Sequence, residues 1–399
     1  MTRDVDPIEP FTPHADEAEL EHLRARLAAA RLPERETVRG TGPERWAQGV
    51  PLADLTEVLE HWRTGHDWRV AEARLAAVDQ YLVPIDGLRI HALHRLSPRP
   101  DATPLLLTHG WPGSVFEFVH LLDELAEPAD PEEPAFHVVV PSLPGFGYSD
   151  KPAETGWGTE RIAAAWARMM EVLGHTRFLA HGGDWGGVIS TILAARFPDQ
   201  VIGLHTTVAQ PPPGLSLEIL DAEEREWVRR SQDFWAHHAA YAKVQAAQPQ
   251  TLGVSLVDSP VGLLAWILDK FAAWSDTRDS PFKTIDRDQL LDNVTLYWLT
   301  RSGASAARIY FESHDSLDPD LRVDVPTAIT TYPRDIERWP RPWAQERYRH
   351  IVRWEEADAG GHFPSLERPE FFVRDLRASL AAVLAVDQER PVTDGARGE

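Results

Sequence analysis

The spacing of hydrophobic positions changes along the chain, and the first hundred residues show mainly helical spacing. Leucines recur every three or four residues in the segments 16–30 and 52–62, as on the buried face of an amphipathic helix. Within residues 1–100 no apolar run is followed by a tight turn and a helix. We therefore predict a mainly helical N-terminal extension over residues 1–100, without a strand-turn-helix site.

Between residues 101 and 210 the pattern changes to short apolar runs that alternate with helical segments. The apolar runs are 104–108, 137–141, 177–180 and 201–207. Alternation of this kind is typical of a mostly parallel sheet whose strands are joined by crossover helices. The fold class is accordingly predicted to be α/β, with residues 101–210 forming the first part of its core.

The rest of the chain interrupts this pattern and then resumes it. Residues 211–318 begin with three prolines and continue as one helical segment after another, which predicts a helical insertion that covers the sheet. Residues 319–386 return to apolar runs at 325–330 and 351–355 before a final helix, and form the second part of the core. The polar residues 387–399 are predicted to be a frayed tail.

Composition narrows the functional classes. The chain of 399 residues is 43% hydrophobic, enough for a sizeable buried core, and its formal net charge is −22 at pH 7. So acidic a surface disfavours nucleic acids and anionic membranes as partners, because both would repel it. Without cysteine, a disulfide framework, a thiolate nucleophile and a cysteine metal site are excluded. Because no signal-peptide pattern is present and no apolar run approaches the ~20 residues of a membrane span, we expect a cytoplasmic protein with no membrane partner.

The segment His181-Gly182-Gly183-Asp184-Trp185-Gly186-Gly187 carries the main candidate chemistry. It follows the third apolar run and precedes a helix predicted from Val188, which is the strand-turn-helix setting of a nucleophile elbow. Gly182 and Gly186 would let strand and helix approach closely around a strained turn. A carboxylate there, Asp184, would attack an alkyl carbon and form an ester that water must then cleave. The alternative interpretation of Asp184 is a helix-capping side chain in a glycine-rich loop.

Two further segments would complete a site around Asp184. The loop His109-Gly110-Trp111-Pro112-Gly113-Ser114 follows the first apolar run, and the Trp111 N–H, with that of Trp185, would form an oxyanion hole. His362 follows two glycines after the last predicted strand, where it can be the base that activates water. A lone histidine is more often structural, but this position reverses that preference. The order nucleophile, acid, histidine is the one expected for such a fold.

The acid that orients His362 must lie between the nucleophile and the histidine, after the penultimate strand. Two carboxylates follow that strand, Asp335 and Glu337. We favour Asp335, because the loop directly after the strand can reach the imidazole. Glu337 stays open as the alternative, and either residue could instead be an ordinary acid at a helix N-terminus.

These motifs together resemble the epoxide hydrolases of the α/β-hydrolase superfamily, in particular the microsomal-type branch with an N-terminal extension. The resemblance covers nearly the whole chain. Beyond the segments around His109, Asp184 and His362, it rests on Ala47-Gln48-Gly49, Asp67-Trp68-Arg69, Ile85-Asp86-Gly87-Leu88, Tyr241-Ala242-Lys243-Val244-Gln245 and Asp258-Ser259-Pro260-Val261-Gly262-Leu263. It implies an α/β-hydrolase fold whose helical insertion is a cap domain. Since the N-terminus lacks an anchor pattern, we expect a soluble bacterial-type member.

The resemblance also implies a pair of cap tyrosines that hydrogen-bond the epoxide oxygen. They match Tyr241 and Tyr310 in this chain, and Tyr297, beside Trp298, ranks below Tyr310. A phenol is a far better proton donor to a leaving alkoxide than water is. Without the resemblance, both tyrosines would be interpreted as core aromatics.

The implied function is conversion of an epoxide to a vicinal diol through an ester on Asp184, with His362 and Asp335 activating the water that cleaves it. No cofactor and no metal are expected, and the partners are the epoxide and water. The many tryptophans suggest an apolar or aromatic epoxide, in a setting such as secondary metabolism, and the sequence leaves a homodimer open. The alternatives are a haloalkane-type dehalogenase with the same nucleophile and a non-catalytic binding protein on this scaffold.

Overall fold

The computed structural model describes residues 7–277, 280–313 and 317–389. Its strands, in chain order, are β1 (Glu9–Pro10), β2 (Gln80–Ile85), β3 (Leu88–Arg95), β4 (Thr103–Thr108), β5 (Phe136–Pro141), β6 (Phe178–Gly182), β7 (Val201–Thr206), β8 (Thr327–Thr331) and β9 (Ile351–Glu356). Its helices are α1 (Glu17–Ala28), α2 (Leu52–Thr64), α3 (Trp68–Ala76), α4 (Leu122–Ala126), α5 (Thr159–Val172), α6 (Asp184–Arg196), α7 (Ala222–Asp233), α8 (Ala240–Ala247), α9 (Pro249–Asp258), α10 (Pro260–Trp274), α11 (Arg287–Leu299), α12 (Gly303–Glu312), α13 (Arg341–Ala344), α14 (Pro364–Glu367) and α15 (Pro369–Glu389). Short 3-10 turns and a π-helical turn between α7 and α8 connect some of these elements.

The strands form one nine-stranded sheet in the order β1-β2-β3-β5-β4-β6-β7-β8-β9. The pairs from β5 to β9 are parallel, whereas β1, β2 and β3 run antiparallel to their neighbours. Strands β6, β7 and β8 are buried along their whole length, which is typical of parallel strands covered on both faces. The predicted α/β fold class with a mostly parallel sheet is confirmed.

Three strands of this sheet lie in the part of the chain predicted to be a mainly helical extension: the two-residue β1 and the longer β2 and β3. The last two are consecutive in the chain. They form a hairpin around Asp86 and Gly87, which both have positive φ, 50° and 84°. This is the backbone of a type I′ turn, for which Asp-Gly is a preferred sequence, so the dipeptide is a signal for the hairpin. At the other end, residues 387–389, predicted to belong to the tail, continue helix α15, and residues 390–399 lie outside the described residues.

Helices α7 to α12 lie between β7 and β8 in the chain, within the predicted insertion. The Tyr297 hydroxyl donates to the Gly113 carbonyl at 2.9 Å, and the Asn293 amide donates to the Pro112 carbonyl at 2.8 Å. Both donors lie on α11 and both carbonyls belong to the loop that follows β4, so α11 is held at the carboxyl end of the parallel strands, where α/β sheets bind ligands. Among the described residues, no single helix has the length and hydropathy to cross a membrane. Helices α9 and α10 meet this criterion only when taken together, and their axes are bent by 116° at the junction.

The N-terminal helices contact this insertion through buried polar groups. The Trp62 indole N–H donates to Thr295 Oγ1 at 3.0 Å inside the core. The carboxylate of Asp292, on α11, lies 2.8 Å from His66 Nε2 and 3.1 Å from Arg74 Nη1. A buried carboxylate left without its partners would be strongly destabilising, so these contacts tie the two regions together. We call this set of contacts the N-terminal clamp.

Candidate active site

Asp184 occupies a sharp turn between β6 and α6. Its φ of 50° lies in the left-handed region, which few residues other than glycine adopt. A Cβ on Gly182 would lie 2.2 Å from the Gly186 carbonyl carbon, and a Cβ on Gly186 would lie 2.0 Å from the Thr108 carbonyl oxygen. Close backbone approach therefore requires both glycines, as the sequence pattern indicates. Helix α6 begins at Asp184 rather than at Val188, so its free N–H groups lie at the turn.

The loop after β4 holds one oxygen of the Asp184 carboxylate. The Trp111 N–H donates to Asp184 Oδ1 at 2.8 Å, and a Cβ on Gly110 would lie only 2.3 Å from that oxygen. The Leu143 N–H donates to His109 Nε2 at 3.2 Å, so His109 Nδ1 carries the proton and donates to the Gly110 carbonyl at 3.0 Å. Burial lowers the pKa of His109 to about 4, which keeps the ring neutral. His109 therefore fixes the loop in the conformation in which the Trp111 N–H donates to Asp184.

Trp185, the second predicted oxyanion donor, lies in the first turn of α6. The N–H groups of a first helical turn have no partner within the helix, so that of Trp185 is free to bind a ligand oxygen. Its indole ring meets the Tyr310 ring edge-on, with centroids 4.9 Å apart at 89°. The part of Trp185 as an oxyanion donor stays a prediction.

His362 lies between two carboxylates. Its Nε2 is 3.3 Å from Asp184 Oδ2, its Nδ1 is 2.7 Å from Asp335 Oδ1, and its backbone N–H donates to the Trp274 carbonyl at 2.9 Å. Burial lowers the pKa of His362, but the charges of Asp335 and Asp184 outweigh burial and hold this pKa well above its ordinary value. The ring is therefore an imidazolium as long as Asp184 is ionised.

The two candidate acids after β8 have different partners. Asp335 Oδ1 contacts His362 and also accepts from the Ile336 N–H at 2.7 Å. Glu337 instead accepts from the indole N–H groups of Trp235 and Trp339, the latter at 2.9 Å. Burial raises the pKa of Glu337, which those two donors only partly offset. This geometry favours Asp335 as the residue that orients the imidazole.

Substituting the two acids separately tests this assignment. If Asp184 forms the ester expected from the sequence, Asp335→Asn should slow its hydrolysis by roughly 10²-fold or more, because an amide can neither stabilise the imidazolium nor hold the required tautomer. Glu337→Gln retains one of the two indole contacts, since the amide has a single acceptor oxygen, and it should change hydrolysis by only a few-fold because neither carboxylate oxygen of Glu337 contacts His362. Single-turnover kinetics with styrene oxide would measure both rates. Equal losses in the two variants would contradict the assignment.

The two predicted tyrosines face Asp184 from helices α8 and α12. The rings of Tyr241 and Tyr310 lie 5.8 Å apart at 81°, and Trp111 stacks on Tyr241 at 5.3 Å and 11°. They line a cavity of about 90 Å³ that also includes Asp184 and His362. Burial first, and then nearby negative charge, raises the pKa of both phenols well above the ordinary value, so both are protonated donors. We call this space the tyrosine cavity.

Tyr297, the competing tyrosine, lies outside the tyrosine cavity. Its hydroxyl donates to the Gly113 carbonyl at 2.9 Å, which occupies its proton in the loop after β4. Burial raises its pKa well above the ordinary value. Tyr297 therefore helps to fix that loop, and its rank below Tyr310 stays a prediction.

A wider groove of about 660 Å³ reaches the site from the N-terminal region. It is lined in part by Trp46, Phe234, Lys270 and Trp274, and it shares Asp335 with the tyrosine cavity. The Trp274 ring lies 5.0 Å from that of His362 at 73°. Trp274 belongs to no motif of the sequence, because its contact with His362 joins the insertion to the loop after β9 and depends on the folded structure. Within the described ranges, no group of three histidine or carboxylate side chains could hold a metal ion.

The chain matches two protein families. Residues 8–118 match the family described as epoxide hydrolase N terminus, and residues 103–248 match the α/β hydrolase fold family. A Stigmatella aurantiaca protein whose name describes it as a candidate epoxide hydrolase is 44% identical, over 93% of this chain and 84% of its own length. Epoxide hydrolase 1 of Oryctolagus cuniculus is 32% identical, over 92% of this chain and 88% of its own.

Solved structures agree with these relatives. The crystal structure of juvenile hormone epoxide hydrolase from the silkworm Bombyx mori has a TM-score of 0.89 at 28% identity, covering 96% of this chain and 97% of that one. The Aspergillus niger epoxide hydrolase structure has a TM-score of 0.84 at 33% identity, covering 95% and 96%. The chain therefore belongs to the epoxide hydrolases of the α/β-hydrolase superfamily.

Proposed function

We propose that this enzyme opens its epoxide through a covalent hydroxyalkyl ester on Asp184. The proposal rests on one observation: the two carboxylate oxygens of Asp184 have different hydrogen-bonding partners. Oδ1 accepts from the Trp111 N–H, as the carbonyl oxygen of an ester would, while Oδ2 points toward His362. Because Asp184 also borders the tyrosine cavity, Oδ2 can reach a substrate carbon there.

In the first step, Oδ2 attacks an epoxide carbon and the carbon–oxygen bond on the far side breaks. The electron pair of that bond passes to the epoxide oxygen, which takes a proton from Tyr241 or Tyr310. Ester formation also removes the negative charge of Asp184, one of the two charges that raise the pKa of His362. His362 then gives its proton to the tyrosinate and becomes a neutral base.

In the second step, His362 takes a proton from water, whose oxygen attacks Cγ of the Asp184 ester. The carbonyl electrons move onto Oδ1, which Trp111 and Trp185 stabilise through their N–H groups. Collapse of this intermediate expels the product alkoxide, which takes the proton from His362. The acid proton of Asp184 then returns to His362, and the released product is a vicinal diol.

The walls of the tyrosine cavity favour an apolar or aromatic epoxide. Besides the catalytic groups, these walls include Trp185, Val188, Val208, Trp235 and Ile336. A haloalkane would place a halide there, and a departing halide needs no proton. Two protonated phenols instead match a leaving oxygen, which supports the epoxide over the dehalogenase alternative.

Isotope labelling of a single turnover tests the ester route. With enzyme in excess over styrene oxide in ¹⁸O-water, we expect an unlabelled oxygen in the diol and ¹⁸O in the peptide that contains Asp184. Mass spectrometry measures both products. Label in the diol with none in the peptide would mean direct attack by water and would overturn the proposal.

Removing the phenol hydroxyls tests the assigned proton donors. We expect Tyr241→Phe and Tyr310→Phe each to slow ester formation by roughly 10- to 100-fold, and the double variant by more, because each hydroxyl stabilises the opening oxygen. Tyr297→Phe removes a hydroxyl of the same kind outside the cavity and should leave ester formation within a few-fold of the wild type. Rapid-quench measurement of the adduct gives these rates. A loss confined to Tyr297→Phe would show that the wrong pair is assigned.

A further inference from the structure

A second, smaller cavity shares Asp184 and His362 with the tyrosine cavity. Its volume is about 20 Å³, which is the space that one water molecule requires. Its other walls, including Gly110, Phe118 and Phe363, do not line the tyrosine cavity. The nucleophile and the base therefore border a substrate-sized space and a water-sized space, and we call the latter the water cavity.

Glu117 is a carboxylic acid on the wall of the water cavity that the proposed mechanism does not yet use. It ends a 3-10 turn directly after the loop that carries Trp111. A Cβ on Gly113 would lie 1.5 Å from Glu117 Oε1, so the side chain fits only because position 113 is glycine. Burial raises the pKa of this carboxyl group, the charge of His362 and the nearby Gly110 N–H lower it, and the charge of Asp184 raises it.

The other ionisable side chain on these walls, His181, is already engaged. Its Nδ1 lies 2.9 Å from His205 Nδ1, and the two rings stack with centroids 4.9 Å apart. Burial lowers the pKa of His181 well below its ordinary value, so the ring is neutral. Glu117 is therefore the better candidate to bind a water molecule beside His362.

We infer that Glu117 holds the water that cleaves the Asp184 ester, together with His362. A water molecule has two protons: His362 Nε2 takes one, and an oxygen of Glu117 accepts a hydrogen bond from the other. A lone pair of the water oxygen is then directed at Cγ of Asp184, as attack requires. The product part of the ester would occupy the tyrosine cavity, and the water would approach from the water cavity. The inference rests on the ester mechanism proposed above.

The protonation state of Glu117 is compatible with this role. Burial raises its pKa to about 8, with opposing contributions from His362 and Asp184. Near neutral pH the carboxyl group is therefore mostly uncharged, and its carbonyl oxygen is a hydrogen-bond acceptor without being a competing base. A glutamine side chain has the same shape and the same kind of acceptor.

This chemistry defines a matched pair of variants. With styrene oxide as the probe, we expect Glu117→Leu to slow ester hydrolysis at least 10-fold while ester formation stays within about threefold, so that the adduct accumulates. Glu117→Gln should keep hydrolysis within a few-fold of the wild type. Rapid quench followed by intact-mass spectrometry measures both steps. Ester hydrolysis at the wild-type rate in Glu117→Leu, or equal losses in both steps, would overturn the inference.

A third variant keeps the test decisive if Glu117→Leu does not fold. Gly113→Ala keeps the Glu117 carboxyl group chemically unchanged, but the new Cβ displaces it from its position. Ester hydrolysis should therefore slow relative to ester formation, and the adduct should accumulate as in Glu117→Leu. Hydrolysis unchanged in a folded Gly113→Ala protein would overturn the inference. If the wild type itself forms no adduct and leaves no ¹⁸O on Asp184, the proposed ester mechanism fails instead, so the two failures are distinguishable.

Discussion

Replacing His362 with alanine is expected to trap the enzyme as its ester. In the proposed mechanism, ester formation uses Asp184 and the tyrosines, whereas cleavage needs a base next to the ester, and we expect hydrolysis to slow by roughly 10²- to 10⁴-fold without it. Intact-mass spectrometry after mixing with styrene oxide should show the protein heavier by one substrate molecule. The wild-type protein should return to its own mass within the same time, because its ester is hydrolysed.

A histidine at the other end of the sheet provides the control. His350 is exposed and directly precedes β9, whereas the site lies beyond the carboxyl ends of the strands. His350→Gln should therefore form and hydrolyse the ester as the wild type does. Steady turnover by the His362→Ala protein, with no adduct, would place the base elsewhere.

Replacing Asp184 with alanine is expected to abolish ester formation. The variant retains Tyr241, Tyr310 and His362 but has no atom that can attack the epoxide carbon, and removal of a nucleophile lowers turnover by roughly 10⁴-fold or more in comparable enzymes. Neither an adduct nor diol above the uncatalysed rate should appear. Alanine lacks the polar side chain that helps aspartate adopt positive φ, so the variant should unfold at a somewhat lower temperature but still cooperatively.

An exposed carboxylate shortly after helix α6 provides a control for the loss of one negative charge. Asp199 follows α6 and is exposed, so Asp199→Ala removes one negative charge from the same region of the chain and should leave turnover unchanged. Diol production at the wild-type rate by the Asp184→Ala protein would instead mean that water attacks the epoxide directly.

The nucleophile turn is the part of the site that the sequence predicts most fully. Two of its constraints act within five residues, because Asp184 has positive φ and Gly182 approaches the Gly186 backbone. The contact of Gly186 with the Thr108 carbonyl is the long-range exception. Such short-range geometry follows from the residue types themselves. The type I′ turn at Asp86 and Gly87 is just as local, and the Asp-Gly dipeptide is the sequence signal for the hairpin of β2 and β3.

Other parts of the site depend on distances that a sequence does not contain. Asp335 and Glu337 are two residues apart, and only the packed loop directs one toward His362 and the other toward Trp235 and Trp339. Glu117 has no motif of its own, since its position beside Asp184 depends on how the loop after β4 folds back. Tertiary packing of this kind decides which of several suitable side chains meet.

The N-terminal clamp has a consequence for the energetics of the reaction. It anchors α11, and α12, which carries Tyr310, follows after a short turn, so this hydroxyl is already oriented before substrate arrives. A mobile lid would have to be ordered in each turnover, at the expense of binding free energy. Preorganised donors avoid this reorganisation and interact most strongly with the developing alkoxide. The three side chains that the N-terminal region contributes to the clamp, Trp62, His66 and Arg74, can thus favour the reaction although none of them lines the tyrosine cavity.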